Sequence, residues 1–198
     1  MQTDPIPRCP RFRRRRASGF TLVEALLIVA VAGILGTIVF DLSAETLRST
    51  KVAAAGSEVT YVLFQARQRA QTEHTIHFAV VNANADSRIE SISLVRDDGS
   101  GAYEAADDTV VSRVFFEQDI RIGDGRGNTT SLPTVATDTY ALAFGPRGDA
   151  RHPTSGDPLS AFLNVTSIDP ERAGFVKYAG IEISAAGGIR HETEMEAL

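Results

Sequence analysis

The sequence predicts an α+β protein: one long N-terminal helix, its first half transmembrane, packed on a mainly antiparallel C-terminal β-sheet. Three observations carry this. Residues 20–40 form an apolar run of 21 residues with one charge, Glu24. Between Asp41 and Glu73 there is no proline, and apolar residues recur at steps of three and four. After Thr72 the period changes to alternation, broken by Gly-, Asp- and Asn-rich turns.

The apolar run comes first. At ~1.5 Å rise per residue it is long enough to cross a hydrocarbon core of ~30 Å. Arg11, Arg13, Arg14, Arg15 and Arg16 precede it and hold that end in the cytoplasm. Residues 41–198 are then expected on the outer face of the membrane. A carboxylate in such a span costs roughly 2.5 to 3.5 kcal/mol, so Glu24 needs a partner. It stands four residues after Phe20, about one helical turn. A cut before Phe20 would create a free amine near this carboxylate or its copy in a neighbour.

Gly19, Phe20, Thr21, Leu22 and Glu24, behind a basic leader and ahead of a long apolar helix, resemble the class III signal of type IV prepilins and pseudopilins. The resemblance implies that a prepilin peptidase cuts between Gly19 and Phe20 and methylates the Phe20 amine. It implies that Glu24 neutralises the N-terminus of an adjacent subunit during assembly. The fold it implies is pilin-like. A Sec-type signal would be cut after the apolar run at a small-x-small site, but Leu42-Ser43-Ala44 puts a Leu where a small residue belongs. A plain anchor explains the length and the arginines but not Glu24.

The division expected is a cleaved cytoplasmic leader at 1–19, the membrane and assembly helix at 20–40, its amphipathic continuation at 41–73 and an extracytoplasmic β-rich domain at 74–198. Gly33 and Gly36 fall in the span, where small residues let helices approach closely. Pilins commonly carry a proline just past this point; Asp41 stands there instead, so no proline kink is predicted. Beyond it, Val52, Ala55, Val59, Val62, Leu63, Ala66 and Ala70 make one apolar stripe. The stretch 59–70 resembles the helix end of the GspH/FimT-like minor subgroup.

Strands are predicted at 75–81, 89–95, 110–117, 140–144, 159–165 and 174–184, with 120–122 as a short continuation of the third and 188–191 closing the sheet. Residues 123–133 read as a long loop. The turn Gly145-Pro146-Arg147-Gly148-Asp149 after an apolar strand resembles a recurrent feature of the same subgroup. The three glutamates of 192–196 read as a solvated tail.

Composition narrows the function. The chain is −5 overall. Removing the leader takes six arginines and one aspartate from 20 basic and 25 acidic residues, leaving 14 and 24, near −10. Such a domain does not favour general phosphate-backbone binding. The single cysteine, Cys9, is in the leader, so the mature chain has no disulfide. Many major pilins close their C-terminal region with one, and by that resemblance the absence leans towards a minor subunit.

Catalytic and metal signals are weak. No HExxH, GxSxG or Walker pattern is present. His74 and His77 straddle a helix-to-strand boundary, and His152 and His191 are far apart in sequence. Asp107-Asp108 and Gly123-Asp124-Gly125 offer oxygens for Ca²⁺ without EF-hand spacing. Arg147-Gly148-Asp149 falls in a turn where glycine has backbone reasons. Asn128-Thr129-Thr130 and Asn164-Val165-Thr166 match the glycosylation sequon, which predicts nothing in the bacterial context that a prepilin signal implies.

The expectation is an assembly subunit, not an enzyme, with no metal and no cofactor. By resemblance it is a GspH/FimT-like minor pseudopilin of a type II secretion system, in the bacterial inner membrane with its C-terminal domain periplasmic. Its partners would be other pilin or pseudopilin subunits, the prepilin peptidase and the inner-membrane assembly platform. One alternative is a minor pilin of a type IV pilus, where DNA uptake through Arg121, Arg126, Arg147 and Arg151 is conceivable but not favoured. A third reading is a membrane-anchored binding domain or enzyme outside any filament.

Overall fold

A computed structural model describes the chain at residues 21–116, 120–123, 130–167 and 175–197. The leader, Cys9, Gly19 and Phe20 lie outside the described residues, as do Asp124, Arg126 and Asn128. Two compact units are defined, one up to Ser43 and one from Ala44 onward. Helix α1 spans Leu22–Glu73.

In the first unit, every described side chain from Thr21 to Thr37 is exposed. Leu22, Val23, Leu26, Leu27 and Ile34 are among them. Hydroxyls here turn back on the helix, Thr37 Oγ1 donating to the Ile34 carbonyl at 2.8 Å and Ser43 Oγ to the Val39 carbonyl at 2.8 Å. That satisfies them without an outside partner. Among the described residues no helix is long and apolar enough to cross a membrane. The expected run begins outside them, at Phe20.

The second unit follows the predicted stripe. All seven stripe residues, Val52, Ala55, Val59, Val62, Leu63, Ala66 and Ala70, are buried. α1 stops where His74 adopts a left-handed backbone, φ 54°, a common way for a helix to end.

Ten strands follow among the described residues: β1 (His77–Ala83), β2 (Ile89–Arg96), β3 (Thr109–Phe115), β4 (Ile120–Ile122), β5 (Thr134–Ala136), β6 (Thr139–Phe144), β7 (Ala150–Arg151), β8 (Ala161–Ser167), β9 (Phe175–Ile183) and β10 (Ile189–Ala197). They form two antiparallel sheets. The first runs β3-β2-β1-β6-β5 with β7 on β6; the second runs β10-β9-β8-β4.

Three expectations change. Residues 120–122 do not continue β3 but pair with β8 in the second sheet, Arg121 opposite Thr166. The supposed acidic tail is strand: Glu192 pairs with Gly180, Glu194 with Tyr178 and Glu196 with Val176. Charged side chains blunt an outer strand against further pairing, so the glutamates suit an edge as well as a tail. Within the expected loop, Thr130 bridges to Leu163, and just beyond it the unpredicted β5 pairs with β6.

The main core joins the helix stripe to both sheets, through Ala79, Val81, Ile92, Leu94, Leu142 and Phe144 of the first and Leu163, Val165, Ala179, Ile181 and Ile183 of the second. The first sheet is buried on its other face too, where Phe78, Val80, Val95, Ala141 and Ala143 form a smaller cluster. Tyr103 covers it, its ring edge-on to Phe78 at 5.5 Å. That explains the apolar run Phe78-Ala79-Val80-Val81 of β1 and the burial of Ser91 and Ser93 in β2, since neither strand has a solvent face over its centre.

Candidate functional site: the start of the helix and Glu24

Thr21 sits immediately before the first helical residue. Its Oγ1 accepts the Glu24 amide at 3.3 Å. The Glu24 carboxylate accepts the Thr21 amide and the Thr21 hydroxyl, each at 3.4 Å. The Thr21 carbonyl accepts the Ala25 amide at 3.1 Å. Thr-x-x-Glu with these reciprocal bonds is a capping box, which satisfies two amides that a helix start leaves bare. The carboxylate also lies at the positive end of the helix dipole. Glu24 therefore has a local role that its spacing from Phe20 did not reveal, although the Thr-x-x-Glu pattern was readable. Gly19 and Phe20, the expected cleavage and methylation sites, lie outside the described residues.

The remaining candidate groups are scattered. Asp108 meets Asp97 and Asp98, with one carboxylate oxygen from each within 4.8 Å of the others. Asp107 is not in this group. The three carboxylates already bind their own loop. Asp97 accepts the Gly101 amide at 3.1 Å, Asp98 the Ser100 amide at 3.0 Å, and Asp108 the amides of Asp98 at 3.2 Å and Glu104 at 2.8 Å. Burial raises the Asp108 carboxyl above its ordinary range, against the pull of those amides. The cluster is a loop clamp, holding the segment that carries Tyr103 over the second core.

The histidines share no site. His74 is exposed and His77 fully buried, 3.4 Å from the Glu73 carboxylate. His152 Nδ1 accepts the amides of Thr154 and Ser155 at 3.3 Å. His191 lies against α1 at Gly56. The Arg147-Gly148-Asp149 turn docks on α1, where Gln71 Nε2 donates to the Arg147 carbonyl at 3.2 Å. Gly148 there has φ 78°, which favours glycine. Asp149 pairs with Arg151 at 2.6 Å. Of the other loop arginines, Arg121 lies on β4, opposite Arg88.

Residues 14–40 match the family model of the prokaryotic N-terminal methylation motif. The chain thus carries the N-terminal signal of the type IV prepilin and pseudopilin class. The solved structures to which it is similar include the minor pseudopilin EpsH from the type 2 secretion system of Vibrio cholerae, at 10% identity and a TM-score of 0.46, over 72% of this chain and 97% of that one. They also include the type IV minor pilin FimU of Pseudomonas aeruginosa strain PAO1, at 14% identity and a TM-score of 0.47, over 72% of this chain and 89% of that one. No curated protein sequence matches significantly.

Proposed function

We propose that the chain is a minor pseudopilin of a type II secretion system, an assembly subunit rather than an enzyme. The observation that carries this is the methylation motif over residues 14–40. In this reading the leader 1–19 is removed, Phe20 becomes the methylated N-terminus, and residues 20–40 hold the subunit in the inner membrane before assembly. The exposed apolar surface at the start of α1 supports this, since such surface needs lipid or another helix around it. Extraction exchanges lipid contact for helix contact, so the surface stays covered. Glu24 meets the amine of a neighbouring Phe20. Residues 41–73 continue the helix into the exterior domain 74–198. Other pilin-class subunits, the prepilin peptidase and the inner-membrane platform are the partners.

A minor pilin of a type IV pilus uses the same parts, and the motif serves both machines equally. The acidic mature chain gives no support to a nucleic-acid role for it.

The test is the intact mass and N-terminus of the protein from membranes containing an active prepilin peptidase. A chain beginning at methylated Phe20 is expected. A chain still beginning at Met1, with a control substrate cleaved, removes the proposal. Deletion of the gene in its own host then separates the machines: lost enzyme export marks the pseudopilus, and lost pili with intact export mark the pilus.

A further inference from the structure

The outer face of the second sheet carries a row of side chains that only the strand register brings together. Phe162 on β8 pairs with Glu182 on β9, and Glu182 pairs with Arg190 on β10. Ala161, Leu163, Ile181 and Ile183 beside them are buried, so alternation along the strands turns all three towards solvent. The row lines a groove of about 590 Å³ that is also bounded by Ser131, Ser160 and Ser184. That volume lies within the range of small-molecule sites.

The serines are fixed by the backbone. Ser131 Oγ accepts the Phe162 amide at 2.7 Å, Ser160 Oγ the Ala185 amide at 3.0 Å and Ser184 Oγ the Gly188 amide at 2.9 Å. A hydroxyl oxygen held in this way keeps its own proton to donate. Ser184 faces the Gly188 carbonyl at 3.5 Å. Ser131 and Ser160 have no acceptor among the described residues, so both present directed donors. Glu182 has no ion pair among the described residues and is a free acceptor. Arg190 is held on its own strand by Glu192, and its fork has donors to spare. The Phe162 ring, 39% exposed, supplies an apolar platform.

These groups select the chemistry of the ligand. An anion meets Glu182 and a cation meets Arg190, so a single charge gains little here. Strand addition by a peptide is unavailable at β8 and β9, which are paired on both sides at this row, and the charged Arg190 and Glu192 guard the outer strand β10 against it. A sugar ring has hydroxyls that both donate and accept, and a C–H face that lies on an aromatic ring. We propose that this groove binds a neutral saccharide of one or two rings. Phe162 stacks against the ring, Glu182 accepts its hydroxyls, and Ser131, Ser160 and Arg190 donate to them. The proposal uses neither Glu24 nor the filament reading.

The test is saturation-transfer NMR on the full chain in a detergent without a sugar head group, with maltose, cellobiose and diacetylchitobiose at about 10 mM, suited to millimolar affinity. At least one disaccharide is expected to receive saturation through its ring protons. Phe162→Ala should abolish the signal, and Glu182→Gln, nearly isosteric, should weaken binding about tenfold or more, with melting temperatures unchanged. The proposal falls if none of the three disaccharides gives a signal, or if either folded variant binds as the wild type does.

Discussion

At Glu24 two roles overlap, and two substitutions separate them. Glu24→Ala removes both the capping acceptor and the charge. Glu24→Gln keeps an oxygen for the Thr21 amide, because a capping box accepts Gln as well as Glu at this position. If the charge serves assembly, Gln should leave the helix start intact and still reduce incorporation into filaments several-fold. Ala should in addition weaken the helix start, by roughly 0.3–1 kcal/mol for a lost carboxylate in the first turn. Co-purification of the variants with a major subunit reads the first effect, and amide exchange at residues 21–25 the second. Filaments that take up the Gln variant at the wild-type level would leave Glu24 as a cap alone. The sequence disclosed the charge, its spacing from Phe20 and a readable Thr-x-x-Glu pattern, and the geometry showed that the carboxylate bonds to Thr21. His77 makes the other residue-scale prediction. It is fully buried, and burial lowers its pKa below 6.5, more than the Thr75 backbone and Glu73 offset; Arg69 and Arg96 lower it further. A lowered pKa means the folded chain binds the proton less readily than the unfolded chain. Stability is therefore kept above pH 6.5 and falls as the pH drops from there towards the folded pKa, by at most about 1.4 kcal/mol per pH unit. Urea denaturation of wild type and His77→Leu between about pH 7.5 and pH 5, which brackets an ordinary histidine, should show the extra slope in wild type only.

Among elements, the helix was the most legible. Its seven-residue stripe depends on a local period that any packing surface must use, and all seven residues are buried. The sheets were legible strand by strand but not in their partition. Nothing local says that residues 120–122 leave β3 for β8, or that the glutamates of 192–196 pair with β9. Register is a long-range property, and a three-residue strand carries too little alternation to declare its side. Gly56 shows the same limit. A glycine within a helix weakens it; in the fold this one lets α1 lie close against Ala179 and His191 of the second sheet. A Cβ there would lie 2.6 Å from the Ala179 Cβ and 2.8 Å from His191 Nε2. Gly56→Ala gains about 1 kcal/mol of helix propensity and costs about 1–3 kcal/mol through overpacking. The net expectation is a loss of stability, read as a lower urea midpoint with an unchanged slope. Gly33, with nothing within 4 Å of its added Cβ, serves as the control: Gly33→Ala should not lower the midpoint. A Gly56→Ala variant as stable as wild type would contradict the close approach of helix and sheet.

For the whole molecule, net charge and the placement of the arginines decide one question together. The sequence offers Arg121, Arg126, Arg147 and Arg151 as a conceivable basic patch, on a mature chain near −10. In the fold, Arg151 is committed to Asp149 at 2.6 Å. Arg121 is half-buried on β4 of the second sheet, whereas Arg147 lies in the turn between β6 and β7 of the first. Arg147 is exposed and Arg126 lies outside the described residues; among the described three of these four, one exposed arginine supplies one phosphate contact. Non-specific DNA binding usually needs several such contacts, each contributing about one unit of salt slope. The acidic remainder of the surface opposes even that encounter. Mobility-shift experiments with duplex DNA at about 50 mM salt, where phosphate contacts are strong, should therefore show no complex at micromolar protein. A shift that weakens steeply with salt and disappears in Arg147→Ala would reverse this expectation and favour the pilus over the secretion machine. Without such a shift, protein and saccharide contacts are the ones to test on the unit from Ala44 onward, with Phe162, Glu182 and Arg190 as the first positions to change.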